Sequence, residues 1–151
     1  MAGHAPTIEI AKHPTAKVAI ISSSWHLDIC NDLIAGATRA LSLADVREIE
    51  VIYVPGSFEI PLAAQKAFEK GFDAVVALGL VLKGETPHFD FVCQGVTQGV
   101  IDVQLKFSKP IGYGVLMCND VDQAIARSGR PGSKEDKGYE SAIAALSLLG
   151  L

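Results

Sequence analysis

The sequence predicts an α/β protein, a three-layer sandwich in which helices cover both faces of a central parallel four-stranded sheet. Two observations support this fold class. An apolar run of strand length is followed by a helical pattern several times along the chain, and the connections are long enough for right-handed crossovers. The chain has 151 residues, which fits one domain with its own core. We expect that domain to span residues 17–151, after an N-terminal extension over residues 1–16.

The first elements follow from local patterns. Thr7 to Ile10 alternate like a short strand, which would either fray or add to the sheet of a neighbouring chain. Val18–Ile21 form a buried-strand run that Ser22–Ser24 end. Apolar residues at helical spacing from Ile29 to Leu41 then predict a helix. This strand, loop and helix make the first unit of the sheet.

The second unit has the same order. Ile49–Val54 predict a strand and Pro55-Gly56 its turn, before a helix near Ser57–Lys70. Pro61 can be accommodated only in the first turn of that helix, because its ring removes a backbone donor. Gly71 is expected to close the helix.

The remaining units complete the predicted sheet. Asp73–Leu82 is the most apolar run, as expected for a strand covered on both faces, and a long helix is predicted from Phe89 to Lys106. A fourth strand over Ile111–Cys118 precedes a short helix over Val121–Arg127 and a final amphipathic helix over Tyr139–Leu149.

Charge and composition exclude several classes of function. Lys and Arg total 13 against 17 Asp and Glu, a formal charge of -4, and no basic run occurs. Nucleic acid and anionic membranes are therefore poor candidates for the main partner. The longest apolar run is far shorter than the roughly 20 residues that span a bilayer, and no leader pattern is evident. We expect a cytoplasmic protein with reduced cysteines, since Cys30, Cys93 and Cys118 form no paired motif.

The sequence lacks a complete phosphate-binding loop and a complete set of metal ligands. Gly79 to Glu85 has the glycine spacing of a phosphate-binding loop, but Glu85 occupies the position of the required Lys. His26 and Cys30 lie four residues apart on a predicted helix, and no further metal ligand is evident. We therefore expect no metal site.

Ligands of a parallel sheet bind beyond the carboxyl ends of its strands. Four segments follow strands there: Ser22–His26, Pro55–Glu59, Lys83–His88 and the residues after Cys118. The Lys83–His88 loop brings free amides, a hydroxyl and an imidazole together, which suits a phosphate beside a proton donor. A turn with a surface His explains the same residues equally well.

Other candidate residues have ordinary explanations too. Ser57 is a candidate N-cap, and the helix dipole explains Glu59 better than polyol binding does. Trp25 could stack on a heteroaromatic ring, although packing is the better explanation from the residue alone. Arg127 and Lys137 could bind phosphate, but isolated surface charge is the more common explanation.

Four separated motifs carry a resemblance to a known family. They are Val54–Pro61, Gly84–Val92, Gly112–Leu116, and Gln123–Arg127 with Lys137-Gly138. In this order they resemble the lumazine synthases, and the likeness extends from about Val18 to the C-terminus. Several motifs in the right order are far more specific than one short pattern.

The resemblance implies a fold, a reaction and a set of site residues. The fold would be flavodoxin-like. The enzyme would condense 5-amino-6-ribitylamino-uracil with 3,4-dihydroxy-2-butanone 4-phosphate to give 6,7-dimethyl-8-ribityllumazine, phosphate and water, with neither cofactor nor metal. The residues assigned to the pyrimidine and the ribityl chain are Trp25, Ser57, Phe58, Glu59, Val81, Leu82, Lys83 and Tyr113. Those assigned to the phosphate are Gly84, Glu85, Thr86, Arg127 and Lys137, and His88 would move protons.

The family builds its sites between subunits of a pentameric ring, so Tyr113 would reach the pocket of the adjacent chain. The linker Gly129–Asp136 is longer than the connection typical of shell-forming members, which favours a free pentamer. Riboflavin synthase is the expected pathway partner. Trp25 and Lys83 stand where Phe and Arg are commoner, and the wider indole suggests that riboflavin or a related flavin also binds.

Two other functions compete with this interpretation. A flavodoxin-like flavin carrier would wrap the FMN phosphate with Ser22–Ser24, which leaves the other loops unexplained. A non-catalytic pentameric scaffold could keep the fold, but the presence of His88, Arg127 and Lys137 together argues against a decayed site.

Overall fold

A computed structural model describes residues 3–151, and four parallel strands in this part of the chain form one sheet. The strands are β1 (Lys17–Ser23), β2 (Glu48–Val54), β3 (Ala74–Leu82) and β4 (Ile111–Cys118). Their order across the sheet is β2-β1-β3-β4, with every pair parallel. The predicted fold class is therefore confirmed.

Helices lie on both faces of the sheet. They are α1 (Leu27–Leu43), α2 (Ile60–Glu69), α3 (His88–Phe107), α4 (Val121–Ile125) and α5 (Lys137–Leu149). Alternate residues of β1 separate the two apolar cores: Val18 and Ile20 pack with α1 and α5, whereas Ala19 and Ile21 pack with α2 and α3. This alternation is the period of two that a strand imposes on its side chains.

Several boundaries differ slightly from the predictions. β1 continues through Ser22 and Ser23, because these residues pair with the end of β2. The predicted helix over Ser57–Lys70 divides into a 3₁₀ turn at Ser57–Glu59 followed by α2, in which Pro61 lies in the first turn as predicted. Gly71 follows α2 with a φ of 92°, a left-handed conformation that favours glycine.

The N-terminal extension lies beside α5. Thr7 to Ile10 pair with no strand of the described chain, so their addition to a neighbouring sheet stays a prediction. Ile10 instead packs against the core on the α5 side. Of the predicted extension, residues 1 and 2 lie outside the described residues.

Three further features concern membrane spans, cysteines and exposed apolar side chains. In residues 3–151, no helix is both long and apolar enough to cross a membrane. Cys30, Cys93 and Cys118 are free thiols, as predicted. Large apolar side chains are exposed on α2 and α3, with Leu62 60%, Phe91 69% and Leu105 72% exposed.

Close packing between α1 and α5 depends on Gly138, the second residue of α5. A Cβ at this position would collide with the backbone carbonyl of Leu33 in α1. Gly112 in β4 makes a similar approach to the carbonyl of Ser141. These contacts fix the start of α5, and therefore Lys137, relative to the sheet.

We expect Gly138→Ala to lower the free energy of unfolding by about 1–3 kcal/mol, because overpacking against a backbone atom forces the helices apart. Gly150→Ala is the matched control, since the nearest neighbour of an added Cβ there is His13 Cε1 at 4.0 Å. Urea unfolding followed by circular dichroism, at one protein concentration, measures both. Equal stability of the two variants would contradict this account of the packing.

Candidate active site

A cavity of about 380 Å³ opens at the carboxyl ends of the strands. Three segments line it: Trp25–His26 after β1, Gly56–Glu59 after β2, and Leu80–Leu82 at the end of β3. His88 and Val92 of α3 complete the lining. Parallel pairing places these strand ends at one edge of the sheet, as the sequence predicted.

The cavity brings together about half of the residues singled out in the sequence. They are Trp25, Ser57, Phe58, Glu59, Val81, Leu82 and His88. Lys83 to Thr86 form the exposed loop between β3 and α3, outside this lining. Arg127, Lys137 and Tyr113 lie elsewhere in the same chain.

The indole of Trp25 is free to contact a ligand. The residue is 67% exposed at the mouth of the cavity. Its backbone is held by α1, since Cys30 Sγ donates to Trp25 O at 3.3 Å. His26 follows in the left-handed conformation, with φ of 51°, and its carbonyl accepts the first backbone bonds of α1. The loop is therefore fixed while the ring remains accessible.

A glycine in the buried strand makes room for Ser57. A Cβ on Gly79 would lie 2.6 Å from Ser57 Oγ and 2.9 Å from Ser23 Oγ. Ser57 is 4% exposed, and its hydroxyl has no hydrogen-bond partner among residues 3–151. Leaving a buried hydroxyl unpaired costs about 1–3 kcal/mol. Ser57 lines the cavity, and a buried hydroxyl without a partner calls for one that the described residues do not supply.

The predicted N-cap at Ser57 is wrong. Ser57 starts the 3₁₀ turn, which Gly56 precedes, and its hydroxyl caps no backbone amide. Glu59 instead performs the capping, because its Oε2 accepts from Gly56 N at 2.9 Å. This contact agrees with the capping explanation for Glu59 and places the carboxylate at the cavity.

His88 occupies the first position of α3 and is exposed. Asp90 N donates to Pro87 O at 3.0 Å, whereas the first two amides of a helix, here those of His88 and Phe89, have no acceptor within it and are available to an anion. The strand end before this loop is fixed, since Lys83 N donates to Cys118 O at 2.9 Å. The arrangement suits proton transfer next to a bound anion.

The serines at the end of β1 and directly after it do not form a phosphate loop. Ser22 Oγ donates to Ser23 O at 3.0 Å, and Ser23 Oγ accepts from Leu80 N at 3.4 Å. Ser24 Oγ donates to Val54 O at 2.8 Å, tying β1 to β2. These hydroxyls serve the fold, which removes the main support for the flavin-carrier alternative.

Arg127 and Lys137 form a second, separate cluster with Glu135. Glu135 Oε2 lies 3.7 Å from Arg127 Nε and 3.4 Å from Lys137 Nζ. Arg127 also donates to Gln123 O at 2.8 Å. A hydrogen bond to Glu140 raises the pKa of Lys137, and the charge of Glu135 adds to this effect. The two cations therefore lie close together, and Lys137 remains charged at neutral pH.

The linker Gly129–Asp136, which contains Glu135 and separates Arg127 from Lys137, is held to α1 by contacts that the sequence did not predict. Arg130 Nε donates to Asp32 at 2.7 Å. Asp136 accepts from Arg39 and from the backbone amide of Tyr139. The partners are 97 and 98 residues apart in the chain, so no local spacing signals them.

Tyr113 projects from β4 away from the cavity lining. Its hydroxyl pairs with Thr97 Oγ1 at 2.9 Å, and burial raises its pKa. The ring is 37% exposed. Among residues 3–151 no group of three or more His, Cys, Asp or Glu side chains is placed to hold a metal ion.

The chain is similar to proteins of one known family. The family model for 6,7-dimethyl-8-ribityllumazine synthase matches residues 15–151. A protein of that name from Paenarthrobacter aurescens is 48% identical over 97% of this chain and 94% of its own length. Those of Streptomyces coelicolor and a Nocardioides species are 46% and 48% identical, covering 95% and 97% of this chain and 89% and 91% of theirs.

We expect Ser57→Ala to leave the free energy of unfolding unchanged or raise it, because the variant removes a buried hydroxyl that has no partner. Ser128→Ala is the matched control, since that buried hydroxyl donates to Ile125 O and accepts from Arg130 N. The control should lose about 1–3 kcal/mol. Chemical unfolding of both variants measures the difference, and an equal loss in Ser57→Ala would show that its hydroxyl is paired.

Proposed function

The chain belongs to the 6,7-dimethyl-8-ribityllumazine synthase family, transferases of riboflavin biosynthesis, and from this premise we propose its substrates and site. It condenses 5-amino-6-ribitylamino-uracil with 3,4-dihydroxy-2-butanone 4-phosphate, giving 6,7-dimethyl-8-ribityllumazine, phosphate and water. The observation that supports this most strongly is the cavity in which an exposed indole, an unpaired buried hydroxyl and an imidazole meet.

The pyrimidine substrate fits the cavity in a definite direction. Its ring stacks on Trp25, and its polar edge meets the backbone of Val81, Leu82 and Lys83 at the end of β3. The ribityl chain extends toward Ser57, Phe58 and Glu59. A polyol hydroxyl there supplies the hydrogen-bond partner that Ser57 Oγ lacks, and burial of both makes the bond specific.

The phosphorylated substrate binds at the start of α3. The loop before this helix offers the backbone amides of Gly84, Glu85 and Thr86 and the hydroxyl of Thr86. These groups can donate hydrogen bonds to an anion at the helix N-terminus. Arg127 and Lys137 supply the positive charge. Glu85 adds a carboxylate, so the amides and the two cations must outweigh its repulsion.

The reaction requires several proton transfers and the correct placement of two substrates. The amine attacks a carbonyl, the carbinolamine loses water, phosphate is eliminated, and the second amine attacks the remaining carbonyl and closes the ring with loss of a second water. The imidazole of His88 is a side chain of the kind that most often serves as a general acid and base, and so can serve each step. Positioning of two reactive substrates contributes more than strong acid-base catalysis. The proposed chemistry uses neither cofactor nor metal.

A second copy of the chain is proposed to complete the site. Arg127, Lys137 and Tyr113 lie outside the cavity of their own chain. Exposed Leu62, Phe91 and Leu105 offer apolar surface of the kind that subunit contacts cover. We propose a free homopentamer in the cytoplasm that hands its product to riboflavin synthase, with each phosphate bound partly by the adjacent subunit.

Purified protein mixed with the two substrates should produce lumazine absorbance and fluorescence at a rate proportional to enzyme concentration. Arg127→Ala should raise KM for the phosphorylated substrate by about tenfold or more while leaving KM for the pyrimidine nearly unchanged, because a charge-assisted contact to phosphate is lost. Arg47→Ala, whose contact is with exposed Asp45, is the control. Folded protein that gives no acceleration over the uncatalysed reaction would refute the proposed function.

A further inference from the structure

One carboxylate occupies the position between the two cations proposed to bind phosphate. Glu135 Oε2 contacts both Arg127 Nε and Lys137 Nζ. We infer that Glu135 is an internal competitor for the phosphate of the substrate: its carboxylate neutralises both cations in the free enzyme and is displaced when phosphate binds. This inference rests on the proposed function, which assigns phosphate to Arg127 and Lys137.

The backbone of Glu135 is held in place. The amides of Lys134 and Glu135 both donate to Ala126 O, at 2.9 and 3.0 Å, just beyond the end of α4. The carbonyl of Glu135 accepts from Gly129 N at 3.1 Å. Lys137 N donates to Arg127 O at 3.0 Å, so the same short stretch of backbone fixes both cations. The carboxylate is therefore delivered to this position by the fold.

Contacts to α1 hold the linker from its other side. Arg130 pairs with Asp32, and Asp136 pairs with Arg39 while capping α5 through Tyr139 N. An added Cβ at Gly129, whose φ is 81°, would lie 2.5 Å from Asp136 Cγ, so this turn requires glycine. With the backbone fixed at both ends, displacement of Glu135 requires only rotation of its side chain.

Glu135 is the more weakly held of two carboxylates near Lys137. Lys137 Nζ lies 2.6 Å from Glu140 Oε2 and 3.4 Å from Glu135 Oε2. Among residues 3–151 Glu140 pairs with Lys137 alone, whereas Glu135 is shared at longer distances with Arg127. Longer contacts in a partly exposed site contribute less energy. A phosphate therefore replaces Glu135 first and leaves the Glu140 contact intact.

Charge gives the direction of the effect. A phosphate monoester carries about -1.5 to -2 charges at neutral pH, more than the carboxylate it displaces. The displaced Glu135 remains tethered nearby and repels the bound phosphate. Its presence thus weakens phosphate binding, and its return to the cations assists release of the inorganic phosphate product.

Glu135→Gln tests this inference because it removes the charge and keeps the size and polarity. Calorimetric titration with inorganic phosphate should give a Kd lower by about threefold or more in the variant. Glu69→Gln, an exposed helical carboxylate bonded to Gln65, is the matched control and should change nothing. KM for the phosphorylated substrate should fall in parallel while KM for the pyrimidine stays constant, which a general structural effect would not produce.

Each result supports or overturns the inference. Unchanged or weaker phosphate binding in Glu135→Gln overturns it, and so does a gain of the same size that survives when Arg127→Ala and Lys137→Ala are both added. If the substrates are turned over but Glu135→Gln changes no phosphate parameter, this inference fails and the proposed function stands. If phosphate binding responds as expected but no turnover occurs, the competition is real and the proposed function fails.

Discussion

Parallel pairing of β1 with both β2 and β3 is the constraint on which the rest of the molecule depends. It places the carboxyl ends of three strands side by side, so that the loops following them meet in one cavity. It also requires a helical crossover after each strand, which produces the two helix layers. Gly79 adds a local condition, because only a residue without Cβ leaves space for Ser57 and Ser23 against β3.

Most of the fold follows from periodicity in the sequence. The apolar run ending at Leu82 is uninterrupted, which predicts a strand buried on both faces. β3 indeed lies in the interior of the sheet. β4 lies at the edge of the sheet, and its bounds follow from Pro110 and the polar residues after Cys118. The loops around the cavity were predictable because parallel strands share an edge.

The parts that could not be predicted depend on distant or non-periodic contacts. Ser57 has the sequence context of an N-cap, but Glu59 reaches back to Gly56 and takes that role, which leaves the Ser57 hydroxyl buried without a partner. The contacts that hold the linker to α1, Arg39 with Asp136 and Arg130 with Asp32, join residues almost a hundred positions apart. Glu135 had no motif at all, and only its position between Arg127 and Lys137 distinguishes it from other surface carboxylates.

In the proposed assembly each site is shared between chains, with the cavity from one subunit and Arg127 from the next. Co-expression of two inactive variants tests it most directly. Val92→Trp would fill the cavity and leave Arg127 intact, whereas Arg127→Ala would remove the cation and leave the cavity open. In the control, a chain that carries both substitutions is co-expressed with the Val92→Trp chain. No subunit of the control assembly has an open cavity. Mixed assemblies of the two single variants should regain lumazine synthesis, because some sites again combine an open cavity with Arg127. Mixed assemblies as inactive as each variant alone would contradict it.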